Sequence, residues 1–353
     1  MRLVASVAAA LFSMPCIGAA ESYLYPMEHW EKVADPEKAG WSRTGLEAFR
    51  KQLVRTRTAG LIAVHAGRVI FEYGDAQTSG DVNSVRKSLL STLYGNYVAA
   101  GKINLDATLG ELGIDDIGGL LPQEKEATVR DLLKARSGVF HPAANAGDDS
   151  EQAPPRGSRA HGTYFLYNNW DFNALGTIFE KQTGRNIYDA FESDLARPLG
   201  MEDFDRSTQR KTGDLHRSIH PAYHFHISPR DLARVGYLML RQGDWAGRQV
   251  VPREWVKQST QIATPVLQMN TKSDRRGPLG YGYLWWVWDK PWAVGPFAGA
   301  FTAHGIGGQH LSVLPALDLV VAHETPGREL GTHRDFWAML ETLARAKCPS
   351  TPC

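Results

Sequence analysis

From Leu61 to Asp75, β-forming and polar residues alternate on either side of Ala66-Gly67, the pattern of a strand that turns on two residues and returns as a hairpin. A second β-rich region covers Leu279 to Glu324. It predicts strands at Tyr281 to Trp288, Phe297 to Ala303, Leu311 to Leu314 and Leu317 to His323, separated by Gly, Pro and Asp. Between these regions the period changes to that of a helix. After Asn83, the residues Leu90, Leu93, Tyr94 and Tyr97 fall on one face, and Gly101 stands where the helix should stop. Phe172, Leu175 and Phe179 make a second stripe. Ser228, Pro229 and Asp231 read as a cap, a first-turn proline and a third-position acid ahead of Leu232, Val235, Leu238 and Met239. Thr332 and Asp335 open a last helix, with Phe336, Met339, Leu340 and Leu343 as its stripe. Strands at both ends with helices between predict one antiparallel sheet, from about 60–75 and 279–324, and a helical lobe over about 84–260. His141 to Gly162 contains almost no large apolar residue and reads as a long surface loop of the kind that covers a site.

The 353 residues are 43% hydrophobic, 22% charged and 10% aromatic, the composition of a folded globular protein with a large core. With 39 basic and 38 acidic side chains the chain carries +1 and offers no basic footprint for nucleic acid. Its first 20 residues read as a targeting segment rather than as fold. Met1-Arg2, the apolar run Leu3 to Met14 and the small residues up to Ala20 make a signal peptide cut after Ala20. The run is too short for a transmembrane helix. Pro15 makes Cys16 a poor lipid-anchor position, and loss of the segment removes one base and no acid, leaving a neutral product. Export to the periplasm or beyond then sets the reading of Cys348 and Cys353. In an oxidising compartment these two are expected to pair, pinning the 348–353 tail to the 21–347 domain without holding the fold together.

Candidate chemistry begins at Ser84-Val85-Arg86-Lys87. A lysine three residues after a serine at a helix start shares its face, so the amine can reach the hydroxyl. The free N–H groups of the first turn and the positive helix end suit an oxyanion. To act as a base, Lys87 must be shifted down from its ordinary pKa of about 10.4 by burial or a cationic neighbour. This spacing alone would arise about once by chance in such a chain. Tyr167-Asn168-Asn169 adds a phenol and an amide beside the polar loop. The same spacing at Tyr94-Gly95-Asn96 is set aside, because Tyr94 lies about 15 Å along the helix from Ser84. Ala303-His304-Gly305-Ile306-Gly307-Gly308-Gln309 supplies a glycine run between strands, where a backbone N–H can approach a ligand. His216, His220, His224 and His226 crowd one stretch, but Pro221 interrupts any helical ligand pair, so no metal and no cofactor is expected. The aromatic run Tyr281, Tyr283, Trp285, Trp286 and Trp288 reads as core packing, with one face available to an acyl pocket.

In this order, and together with Gly101 to Asp106, Thr128 to Leu133, Ser137-Gly138 and Ser228 to Arg234, these segments resemble the serine β-lactamase and penicillin-recognising hydrolase family. The likeness is to its class C branch, with esterases, D-amino-acid amidases and 6-aminohexanoate-dimer hydrolase. The resemblance implies an α/β (α+β) β-lactamase/transpeptidase-like fold, an antiparallel sheet flanked by helices plus a helical lobe. It implies Ser84 as acylated nucleophile, Lys87 as its base, Tyr167 as proton shuttle to the leaving group and Asn169 as a substrate amide contact. It also implies an oxyanion hole from the N–H groups of Ser84 and Ile306. One departure bears on substrate: the family's Lys-Thr-Gly motif aligns with Ala303-His304-Gly305, so the cation that helps bind a carboxylate is missing. His304 can substitute as a donor, less strongly when neutral. The expectation is therefore an exported serine hydrolase of esters or amides without an obligatory carboxylate. The alternatives are a β-lactamase or D,D-peptidase, and an inactive homologue that holds peptides.

Overall fold

A computed structural model of the chain describes residues 23–270, 277–326, 333–350 and 353. The leader expected over 1–20 and the expected cap Thr332 lie outside the described residues. Among those described, seven strands form one sheet: β1 (Gly60–His65), β2 (Arg68–Gly74), β3 (Leu279–Tyr281), β4 (Trp286–Trp288), β5 (Phe301–Gly305), β6 (Gln309–Leu314) and β7 (Leu319–Glu324). Their order is β2-β1-β7-β6-β5-β4-β3, with every neighbouring pair antiparallel. The two ends of the chain thus share one sheet, joined where Ile62 of β1 faces Ala322 of β7. In the β1–β2 turn both Ala66 and Gly67 have positive φ, 49° and 81°, the backbone that matches the twist of a two-residue hairpin.

Alternation along the central strands sends side chains to two separate cores. Leu61 and Ala63 of β1 and Leu319 and Val321 of β7 face one layer, built by α1 (Arg43–Arg55) and the last helix, His333–Arg345. Ile62, Val64, Val320 and Ala322 face the other. That second core also takes in α2 (Val85–Ala99), α3 (Asn169–Thr183) and α4 (Pro229–Leu240); the last helix is α5. Ser228 caps α4 by accepting from the Asp231 N–H. Although α4 falls inside the stretch expected to be a helical lobe, it lies directly on the sheet. Gly236 permits this, since a Cβ there would fall 2.5 Å from Val320 Cγ1 and 2.7 Å from Leu311 Cδ1.

Two strand boundaries differ from the sequence pattern. The run expected as one strand from Tyr281 to Trp288 folds back on itself, with Leu284 at φ 62° and β3 and β4 paired. Helix α2 causes the bend: Ser88 and Ser91 donate to the carbonyls of Leu284 and Tyr283 at 2.6 and 2.7 Å, while the Leu284 N–H donates to Leu133. The strand expected from Phe297 begins only at Phe301, because Gly295–Phe297 form a tight turn, and it runs on to Gly305. His304 and Gly305 therefore lie within β5 rather than between strands. At the other end, Cys348 and Cys353 are joined by a disulfide with Cα atoms 5.6 Å apart. Their N–H groups donate to Gly40 and Glu37, which fastens the tail to the segment before α1.

Candidate active site

Nearly every residue in the first three turns of α2 is buried, including Arg86 and Lys87. A buried helix normally carries apolar residues all round, so two cations there need a local reason. Ser84 occupies the cap position but makes no capping hydrogen bond with its side chain. Its hydroxyl instead lies 2.8 Å from Lys87 Nζ, and the same nitrogen lies 2.7 Å from the Tyr167 hydroxyl. The amine sits over the rings of Tyr167 and Phe172, at 4.2 and 4.6 Å. Burial first, and the Arg86 guanidinium second, pull Lys87 well below the usual lysine range against the opposing charges of Asp148 and Asp149. Burial pushes the Tyr167 phenol up, so that it keeps its proton. The pair therefore comprises an amine able to accept a proton and a phenol able to give one.

The segments that carry these groups are held from several sides. The Val82 N–H donates to Phe225 and the Asn83 N–H to Asp81, whose carboxylate also meets His224 at 3.1 Å. Arg86 donates to Asn173 of α3 at 2.9 Å and lies 4.3 Å over the Tyr223 ring. Tyr167 is positioned by Asn168, which caps α3 by accepting from the Asp171 N–H. Asp171 is buried and raised well above the usual carboxylate range by desolvation, and one of its oxygens accepts from the Ser137 hydroxyl at 2.6 Å.

A cavity of about 400 Å³ opens over Ser84, walled by Tyr167, Trp286, His304 and Trp337 and reaching Gly305 and Ile306. His304 is buried and stacks on Trp286 with ring centres 5.9 Å apart. Ile306 is exposed at the end of β5, and its carbonyl accepts from Asn83 Nδ2 at 3.0 Å. Among the described residues no lysine or arginine lines the cavity, whereas Asp148 and Asp149 do. Asn169 is placed differently from the cavity residues. Its Nδ2 donates to Ala146, its backbone N–H donates to Asp148, and it stands behind the 145–148 segment, outside the cavity wall.

Seen from the sequence, the loop 141–162 and the run holding Trp286 were marked, but Asp148, Asp149, Trp337 and Asn83 were not singled out. Trp337 sits off the apolar stripe of α5, so periodicity carried no signal for it. The histidines at 216–226 go to separate tasks: His220 bonds Thr177 and Asp115, and His224 bonds Thr212 and Asp81. No group of three or more His, Cys, Asp or Glu among the described residues could hold a metal ion. None of the described helices is long and apolar enough to cross a membrane.

The chain belongs to the β-lactamase family, whose model matches residues 46–343. Its fold is that family's hydrolase fold. A proposed 6-aminohexanoate-dimer hydrolase from Bacillus anthracis superposes with a TM-score of 0.67 at 17% identity, over 91% of this chain and 89% of that one. A penicillin-binding protein homologue from Caulobacter crescentus gives 0.61 at 15% identity, over 87% and 99%. EstCE1, a hydrolase with promiscuous acyltransferase activity, gives 0.61 at 17% identity, over 89% and 99%. An uncharacterized protein of Alkalihalophilus pseudofirmus is 35% identical over 100 residues, a match spanning 27% of this chain and 28% of that relative.

Proposed function

We propose that the protein is an exported serine hydrolase that forms and hydrolyses an acyl-enzyme on Ser84, acting on an ester or amide that needs no carboxylate. The observation that carries this reading is the Lys87 amine, stripped of water and set within hydrogen-bond reach of both Ser84 and Tyr167. Lys87 takes the Ser84 proton as the oxygen attacks the carbonyl carbon. The N–H groups of Ser84 and Ile306 receive the oxyanion. Tyr167 hands a proton to the departing oxygen or nitrogen and recovers one through Lys87. Water, activated by the same pair, then releases the acid. Asp148 and Asp149 at the cavity disfavour an anionic substrate, which ranks esters and amides ahead of β-lactams and cell-wall peptides.

The test compares a nitrophenyl acetate with a chromogenic cephalosporin, using Ser84→Ala as control, together with labelling by a fluorophosphonate. Ester turnover and labelling that both vanish in Ser84→Ala are expected, with little cephalosporin cleavage. Efficient cephalosporin turnover would move the β-lactamase reading to first place, and labelling that persists in the variant would remove Ser84 as nucleophile. Absence of both turnover and labelling in the native protein would favour a binding homologue.

A further inference from the structure

Gly277 and Trp337 line two cavities at once. One lies over Ser84. The other, about 390 Å³, is walled by Pro278, Trp288, Trp292, Val294 and Phe297. Among the described residues the one ionisable group on it is Glu341, which pairs with Arg345. The 289–300 connection between β4 and β5 builds the far wall. Trp292 and Ala293 donate their N–H groups to the Asp289 carbonyl, and Phe297 stacks on Trp288 with ring centres 5.2 Å apart and planes 6° from parallel. Trp292 and Val294 are left 45% and 62% exposed, an apolar surface that costs free energy while it faces water. At the wall the cavities share, a Cβ on residue 277 would fall 2.3 Å from the Trp337 ring, so glycine is what lets that ring stand there.

We propose that this second cavity is an extension of the substrate site and takes the apolar arm, alkyl or aryl, of the ester or amide whose carbonyl sits at Ser84. The inference rests on the reading of Ser84 as nucleophile. Adjacency points to the occupant: the apolar cavity shares Gly277 and Trp337 with the cavity that holds the candidate nucleophile. Each methylene moved from water into such a cavity is worth about 0.8 kcal/mol, or about fourfold in kcat/KM while the chain still finds wall to cover.

Two ester series separate the two ends from which the arm could come: nitrophenyl esters of straight-chain acids from acetate to decanoate, and acetate esters of straight-chain alcohols from ethanol to decanol. In one series kcat/KM is expected to climb about fourfold per methylene over several steps. The double variant Trp292→Ser, Val294→Asp should flatten that climb and leave acetate turnover within about twofold. A second readout needs no turnover. In Ser84→Ala, 11-bromoundecanol should quench tryptophan fluorescence saturably, and adding Val294→Asp should weaken that binding about tenfold. Ser84-dependent acetate turnover with flat series and no quenching overturns the extension while leaving the nucleophile intact. Quenching indifferent to Val294→Asp puts the chain elsewhere and also overturns it. Quenching that Val294→Asp weakens, in a protein that turns over no ester, would keep an apolar site there but overturn both the Ser84 reading and the arm's assignment to a substrate.

Discussion

Asn83 donates its side-chain amide to the carbonyl of Ile306 at 3.0 Å, tying the residue before Ser84 to a segment 223 positions further along the chain. The two backbone N–H groups proposed for the oxyanion belong to Ser84 and Ile306. That hydrogen bond thus ties the two halves of the hole together. Asn83 also holds a left-handed φ of 50°, which asparagine tolerates better than most residues.

Loss of that bond should appear in kcat. Replacing Asn83 by Gly removes the amide without straining the left-handed backbone, and is expected to lower kcat about tenfold with KM nearly unchanged. The figure is less than the 10²–10³ seen when an oxyanion donor itself is deleted, because here the donor is loosened rather than lost. Steady-state kinetics on a nitrophenyl acetate check this, with circular dichroism to confirm the fold. A kcat equal to that of the native protein would show that the Ile306 segment holds its place unaided.

Lys87 should be costly to stability and indispensable to rate. Its depressed pKa means that the folded state disfavours the protonated amine, so Lys87→Met removes a burden even as it deletes the base. Turnover is expected to fall at least about a thousandfold, while the melting temperature at neutral pH stays level or rises. The native rate should decline on the acid side as the amine takes up a proton below its lowered pKa. A melting temperature that drops by many degrees would mean that the bonds to Ser84 and Tyr167 outweigh the desolvation of the amine.

Tyr167→Phe separates leaving groups. A nitrophenolate departs without a proton, whereas an amine or an alkoxide needs one, so the variant should lose much more rate on an anilide or alkyl ester than on a nitrophenyl ester. Equal losses on all three substrates would take Tyr167 out of leaving-group protonation.

Glu324, at the end of β7, is pushed up to about 7 by burial and by the nearby Asp75 charge. With a folded pKa above the unfolded one, its ionisation works against the fold: the associated stability is intact below about pH 4.5 and is lost as pH rises through 7. Glu324→Gln should therefore melt a few degrees higher than the native protein at pH 8 and no higher at pH 4.5. Matching curves at both values would show that solvent already satisfies the carboxylate.

The hairpin at Ala66-Gly67, helices α2 to α4 and the stripe of α5 were legible in the sequence because each depends on local periodicity, turn chemistry or capping. Ser84 and Lys87 were legible for the same reason: three residues apart on one helix, they meet whatever the rest of the chain does. Tyr167 could be named, but its distance from Lys87 could not, since 80 residues separate them and only the packing of α3 against α2 brings the hydroxyl to the amine. The bend at Leu284 was hidden because alternating aromatics favour an unbroken strand, and it took Ser88 and Ser91, from nearly two hundred residues earlier, to claim the turn's carbonyls. By itself the sequence determined the elements that rest on local periodicity and named the candidate residues for the chemistry. Tertiary structure alone decided that Lys87 is buried, that Asp148 and Asp149 stand at the cavity, that Asn169 turns to the loop behind it, and that Trp337 lines two cavities. Burial, charge environment and cavity shape are sums over residues distant in sequence, and no local pattern encodes them.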